Sequence, residues 1–267
     1  MSAKHPDPEN KPDINTDELP FVAPCKTLPL WVAFDWIKLG WHDLKAAPRQ
    51  SLTYGLIMVL MSYALTAVTI YWGNLGLYLG LVSGFVFAGP WLALTLYSIS
   101  IHVERGEPVS LRRSITDARK PIGNAMVFAT LLTIVFLVWA RAANVIYIFF
   151  PEIADYHLRD LAVFLGVGCT VGAVFCAIVF GVSAFSLPML MDRQTDGITA
   201  VVTSVNAVLR NKPAMFVWAC VIGLCVLIGL LTACLAFLVL LPLLGHATWH
   251  AYRDTIDASD WPELKID

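Results

Sequence analysis

Three long stretches of this chain, residues 50–103, 161–191 and 213–252, contain no Asp, Glu, Lys or Arg. A soluble fold must cover its surface with polar groups and carries about 25% charged residues on average. Here the charged share is 14% and the hydrophobic share 58%. Blocks of this length are stable only in hydrocarbon, which rules out a water-soluble enzyme. The net charge of −2 with scattered cations gives no basic stripe, so no nucleic-acid partner is expected. The expected partners are the lipid bilayer and a membrane protein or a second copy of the chain.

A span needs roughly 20 residues at about 1.5 Å rise per residue. The first block therefore makes two helices, about 52–71 and 75–101, with a turn at Trp72-Gly73-Asn74. Two more are expected at about 124–150 and 161–190. As a single helix the last block would reach about 60 Å, twice the thickness of the hydrocarbon core. Two short spans, about 215–230 and 233–249, with a turn near Gly229–Thr232, fit better. One long helix over 214–249, giving five spans, is the alternative.

Each apolar pair follows a semi-polar segment, at about 31–47, 108–120 and 196–212, and a proline: Pro48, Pro121 or Pro213. In the first segment Phe34, Ile37, Trp41 and Leu44 form one face, and Asp35, Lys38, His42 and Lys45 another. That period reads as an amphipathic helix lying on the membrane surface or packing beneath the spans. The expected fold is thus an all-α polytopic membrane protein. It has six transmembrane helices in three hairpins, each preceded by a cytoplasmic amphipathic helix. Proline-rich residues 1–24 read as a disordered cytoplasmic tail and 257–267 as an acidic C-terminal tail. With six spans, 16 of the 18 Lys and Arg share one side with both termini. The positive-inside rule makes that side cytoplasmic.

Few residues carry chemistry. Arg141 is the one charge well inside an expected span, and an intramembrane Arg either contacts a ligand or snorkels, here toward Glu152 or Asp155. His246 and His250 are one turn apart and share a helix face, as a metal or haem site would use, and His42 and His102 are near enough in the layout to join them. Otherwise they are interfacial residues with Trp41 and Arg253, and no cofactor is expected. Gly76, Gly80 and Gly84, and likewise Gly168 and Gly172, form small-residue rows that suit close helix packing in the bundle or between copies. No nucleotide, zinc-protease or serine-hydrolase motif is present, so the chain leans away from catalysis.

The stretches Phe21–Leu28, Trp36–Leu44, Ser51–Leu56 and Gly245–Asp254 resemble the bacterial integral membrane family known as domain of unknown function 2189. The resemblance runs from Phe21 to Asp254 and implies an inner-membrane protein, with no assigned activity to carry over. The leading expectation is a non-catalytic factor in membrane-complex assembly, interaction or envelope maintenance. A transporter or pore for a small or amphiphilic solute is the alternative, and a metal- or haem-binding respiratory subunit a third.

Overall fold

A computed structural model describes residues 20–72, 75–149 and 158–266. These form ten helices with no strand among them: α1 Val32–Ala46, α2 Pro48–Trp72, α3 Leu75–Glu104, α4 Leu111–Ala118, α5 Ile122–Phe149, α6 Leu158–Ser183, α7 Ser186–Asp192, α8 Gly197–Arg210, α9 Lys212–Leu231 and α10 Phe237–Thr255. Among the described residues, four stretches are long and apolar enough to cross a membrane: Pro48–Val68, Ile122–Ile146, Ala162–Asp192 and Lys212–Leu231. The protein is a multi-pass, all-α integral membrane protein.

The three prolines between the semi-polar segments and the apolar pairs stand at helix beginnings. Pro48 opens α2, Pro121 directly precedes α5, and Pro213 lies in the first turn of α9. The missing proline N–H is no loss there, because first-turn amides have no partner within the helix. The surface helices α4 and α8 start on side-chain caps. Ser110 accepts from the Arg113 N–H, and Asp196 from those of Ile198 and Thr199.

The long helix over 214–249 does not form. α9 stops at Leu231 in a reversal where the Cys234 N–H donates to the Gly229 carbonyl (2.7 Å) and the Ala233 N–H to that of Leu230 (3.1 Å). Those two bonds, with Ala233 at φ 48° and Cys234 at φ 67°, are a Schellman ending. α10 then returns beside α9 to the end from which α9 set out. The expected span at 161–190 falls within the apolar stretch Ala162–Asp192, and its helix is interrupted at Ala184–Phe185, between α6 and α7. Pro188 cannot donate to the carbonyl four residues back, and Ser204 of α8 takes up groups freed at the break. Its hydroxyl accepts from the Phe185 N–H (3.0 Å) and donates to the Gly181 carbonyl (2.8 Å).

The described parts of both terminal segments are tied to the helices; residues 1–19 of the expected N-terminal tail lie outside the described residues. Ala23 is buried and its N–H donates to Thr203. The Lys26 N–H bonds Thr255, and the Asp257 N–H bonds Pro24. Trp261 is buried, and the Gln194 N–H bonds the Pro262 carbonyl. These straps, with α1, α4, α7, α8 and the neighbouring ends of α2, α3, α5, α9 and α10, make a compact polar end, here called the collar. Among the described residues, the opposite, distal end consists of helix ends and the α9–α10 turn.

Candidate functional site

The collar is organised by nine residues of α10, from His246 to Asp254. Their neighbours come close because small residues remove the obstacle. A Cβ on Gly40 of α1 would lie 2.7 Å from the Ala247 nitrogen and 2.9 Å from the Leu243 oxygen. A Cβ on Gly55 of α2 would collide with the Leu238 carbonyl. Trp36 of α1 is buried, meets Trp218 edge-on at 5.6 Å between centroids, and donates its indole N–H to Asp254 (3.0 Å).

His246 is completely buried, with Nε2 2.9 Å from the Ser51 hydroxyl and Nδ1 2.8 Å from that of Ser100. It joins α2, α3 and α10. One turn on, His250 Nε2 is 2.8 Å from Oδ2 of Asp43, a carboxylate buried on α1. Burial opposes the negative charge of Asp43, but the hydrogen bond and positive potential from His250, helped by Ser100, outweigh it and hold the carboxyl below its ordinary range. The other side of His250 faces Glu104 at 3.6 Å. Arg253 lies 4.0 Å from Glu104 and 3.5 Å from Asp192, which also accepts from Tyr252 (2.7 Å) and Arg193 (2.9 Å).

A second buried group ties α3 to α4. His102 places Nε2 2.9 Å from Asp117 and Nδ1 3.1 Å from Glu107, while Ser98 donates to Asp117 (2.8 Å) and Arg113 pairs with Glu107 (2.8 Å).

The residues singled out from sequence thus separate. His246, His250 and Arg253 belong to one network. His102 belongs to another, His42 is largely exposed, and Trp41 lies on the outside of α1 beneath the Lys45 ammonium. The two imidazoles of α10 turn to different partners, and among the described residues no group of three or more His, Cys, Asp or Glu converges as a metal site would. Arg141 is exposed on α5, and its expected partners Glu152 and Asp155 lie outside the described residues. Gly76, Gly80 and Gly84 are in α3, where side-chain surroundings are outside the described part. Among the described residues nothing lies within 4 Å of a Cβ built on Gly168 or Gly172, so that row makes no close approach there. Among the described residues the close approaches occur instead at Gly40, Gly55, Gly229 and Gly245, where bare sequence gives no row to find.

Sequence reading missed Asp43, Ser51, Ser100 and Asp117. Asp43 looked like one more polar residue of a surface helix, and its partner His250 is 207 positions away. Chemically the arrangement holds helices. A nucleophilic triad needs one imidazole between a hydroxyl and a carboxylate. Here His246 has serine on both sides, and His250 has carboxylates.

Beside the straps, a cleft of about 610 Å³ opens on the collar, lined by Phe21, Lys120, Asn124, Arg193, Asp196 and Trp261, among others. Its rim is set by side chains reaching across: Asn124 donates to the Thr195 carbonyl (2.9 Å) and Lys120 to that of Lys265 (2.7 Å).

Residues 77–192 match a family model described as "Predicted integral membrane protein (DUF2189)". The model is that of the family the terminal motifs resemble, matched over a shorter span than Phe21 to Asp254. The matched stretch runs from within α3 through α7, so it includes Ser100, His102 and Asp117 and leaves α1, α2 and α10 outside. No curated protein and no solved structure matches the chain.

Proposed function

We propose that the protein is a six-span bacterial inner-membrane protein, non-catalytic, that acts in membrane-complex assembly, interaction or envelope maintenance. The observation that carries this reading is the use made of the collar's reactive side chains. His102, His246 and His250 and their carboxylates all hold one helix to another, and the two straps fix the surface around the cleft. A rigid face of that kind suits recognition of a partner better than turnover of a substrate. The pairs α2 with α3, α5 with α6 and α9 with α10 supply the three hairpins; α9, at 20 residues and about 30 Å, is long enough to span, and α10 returns beside it. The cation-rich collar then faces the cytoplasm, with both termini.

The test has two arms. A fluorescent protein fused after Asp267 should light up in cells, because such reporters mature only in the cytoplasm; a dark but stably inserted fusion would reverse the topology. A photo-crosslinking residue at Gln194, on the cleft rim, should trap one discrete protein in living cells, and the same residue at Leu231 should not. Equal trapping from both places would remove the collar as the recognition face.

A second reading, a carrier for a small or amphiphilic solute, is favoured by the cleft itself, where Lys120 and Arg193 stand among Phe21 and Trp261. Solute uptake into proteoliposomes that disappears in Arg193→Gln would replace the first reading with this one.

A further inference from the structure

α1 turns its other apolar side outward. The buried face is Val32, Ala33, Trp36, Gly40, Asp43 and Leu44. Opposite it, Trp31, Phe34, Lys38, Trp41 and Lys45 recur at spacings of three, four, three and four. Trp31 is 63% exposed, Trp41 41% and the Lys38 side chain 76%.

The height of this face in the molecule is fixed by α10. Ser51, in the first turn of α2, is level with His246 through their hydrogen bond. Gly40, at the middle of α1, lies against Ala247 and Leu243, and Leu243 is about 4.5 Å to the distal side of His246. The middle of α1 is therefore level with the start of the α2 span, where that helix enters the lipid. Its outer face continues onto the exposed Leu56, Ile57 and Leu60 of α2.

We infer that this face of α1 binds the headgroups of anionic phospholipids. Indole rings prefer that layer, being apolar with one polar N–H. Lys38, Lys45 and, four residues on, the exposed Arg49 supply the charge complementary to lipid phosphate. Asp35 pairs with Lys38 at 2.7 Å, but both side chains are largely exposed, and such pairs are weak enough for a phosphate to displace. Lys45 stands 5.4 Å from the Trp41 ring centroid, so one site offers a ring and a cation together. This inference does not depend on what docks in the cleft.

The test uses the full chain in nanodiscs of phosphatidylcholine carrying a trace of spin-labelled phosphatidylglycerol or spin-labelled phosphatidylcholine. The motionally restricted fraction of each label gives a relative association constant. The wild type should prefer the anionic lipid at least about threefold. Lys38→Glu, Lys45→Glu and Arg49→Glu together should abolish that preference, and the same three changed to Gln, in case the Glu variant does not fold, should at least halve it. Reversing Arg105, Arg112 and Arg119 on the collar should leave it unchanged. The inference fails if the wild type shows no preference, if a folded α1 variant keeps it in full, as a protein-docking face would, or if the control reversal removes it equally.

Discussion

At the collar end of α3, Leu94, Leu96, Ser98, Ile99 and Ser100 are all buried, whereas at the distal end of α2 Ile70 and Tyr71 are about three-quarters exposed. The same contrast runs down other helices. Leu243 and Leu244 of α10 pack inside, while Leu230 and Leu231, before the distal turn, point out, Leu231 at 78% exposure. The difference shows which forces hold a membrane bundle. Lipid chains are as apolar as Leu, so outward apolar residues lose nothing and draw no helices together. Cohesion comes from glycine-permitted close approach, which runs along α10 from Gly229 at Phe237 and Gly55 at Leu238 to Gly40 at Ala247, and from polar groups that find each other, which are concentrated in the collar. Buried serines, histidines and carboxylates are costly unless hydrogen-bonded, so here they specify which helices meet.

The sharpest test of this division compares two glycines. Gly55→Leu must force α2 away from Leu238 and should cost at least about 3 kcal/mol, read as loss of a monodisperse peak or a large fall in Tm in detergent. Gly172→Leu, in open space, should shift stability by no more than about 0.5 kcal/mol. If both variants behave alike, the close approach of α2 to α10 is not what holds the fold.

An intermediate effect is expected for Asp43→Asn, which leaves His250 without its charged acceptor and should cost about 2 kcal/mol. Because the folded protein holds the Asp43 carboxyl below its ordinary value of 3.8, its contribution is present at neutral pH and is lost only as pH falls through that lowered value. The Tm gap between wild type and variant should therefore persist at pH 5 and close in stronger acid. A gap that closes between pH 7 and 5 would assign the stabilisation to another group.

The smallest effect belongs to the distal end. Ile70→Ala and Leu231→Ala should each change Tm in lipid nanodiscs by the equivalent of about 0.5 kcal/mol or less. A drop of several times that would reveal packing at the distal end comparable to the collar's.

What the sequence disclosed follows from the same physics. Charge-free blocks, the three prolines and the turn near Gly229 mark where backbone must be apolar, begin or reverse, and the helices follow those marks closely. Faces were a different matter. For α1 the period was correct, yet the face built on Phe34, Ile37, Trp41 and Leu44 is only partly the buried one. In water an apolar stripe finds the core, but beside a bilayer it is stable against lipid as well, so periodicity alone does not say which stripe goes inward. Trp36, Gly40 and Asp43 were chosen by partners more than 170 positions away, on α9 and α10. For Gly168 and Gly172 the argument ran in reverse: small residues permit approach without requiring it.

The Schellman ending at Gly229–Cys234 has a consequence for how the protein is made. Until the ribosome has passed that reversal and released α10, Asp43, Ser51 and Ser100 have no histidine to meet, although the helices that carry them were synthesised long before. α1 and α2 must wait beside or within the bilayer through the synthesis of more than half the chain. A truncated product ending at the turn would carry all four of the assigned apolar spans and still lack the residues that close the collar. The collar can therefore close only after α10 has emerged, when every helix before it has already been made.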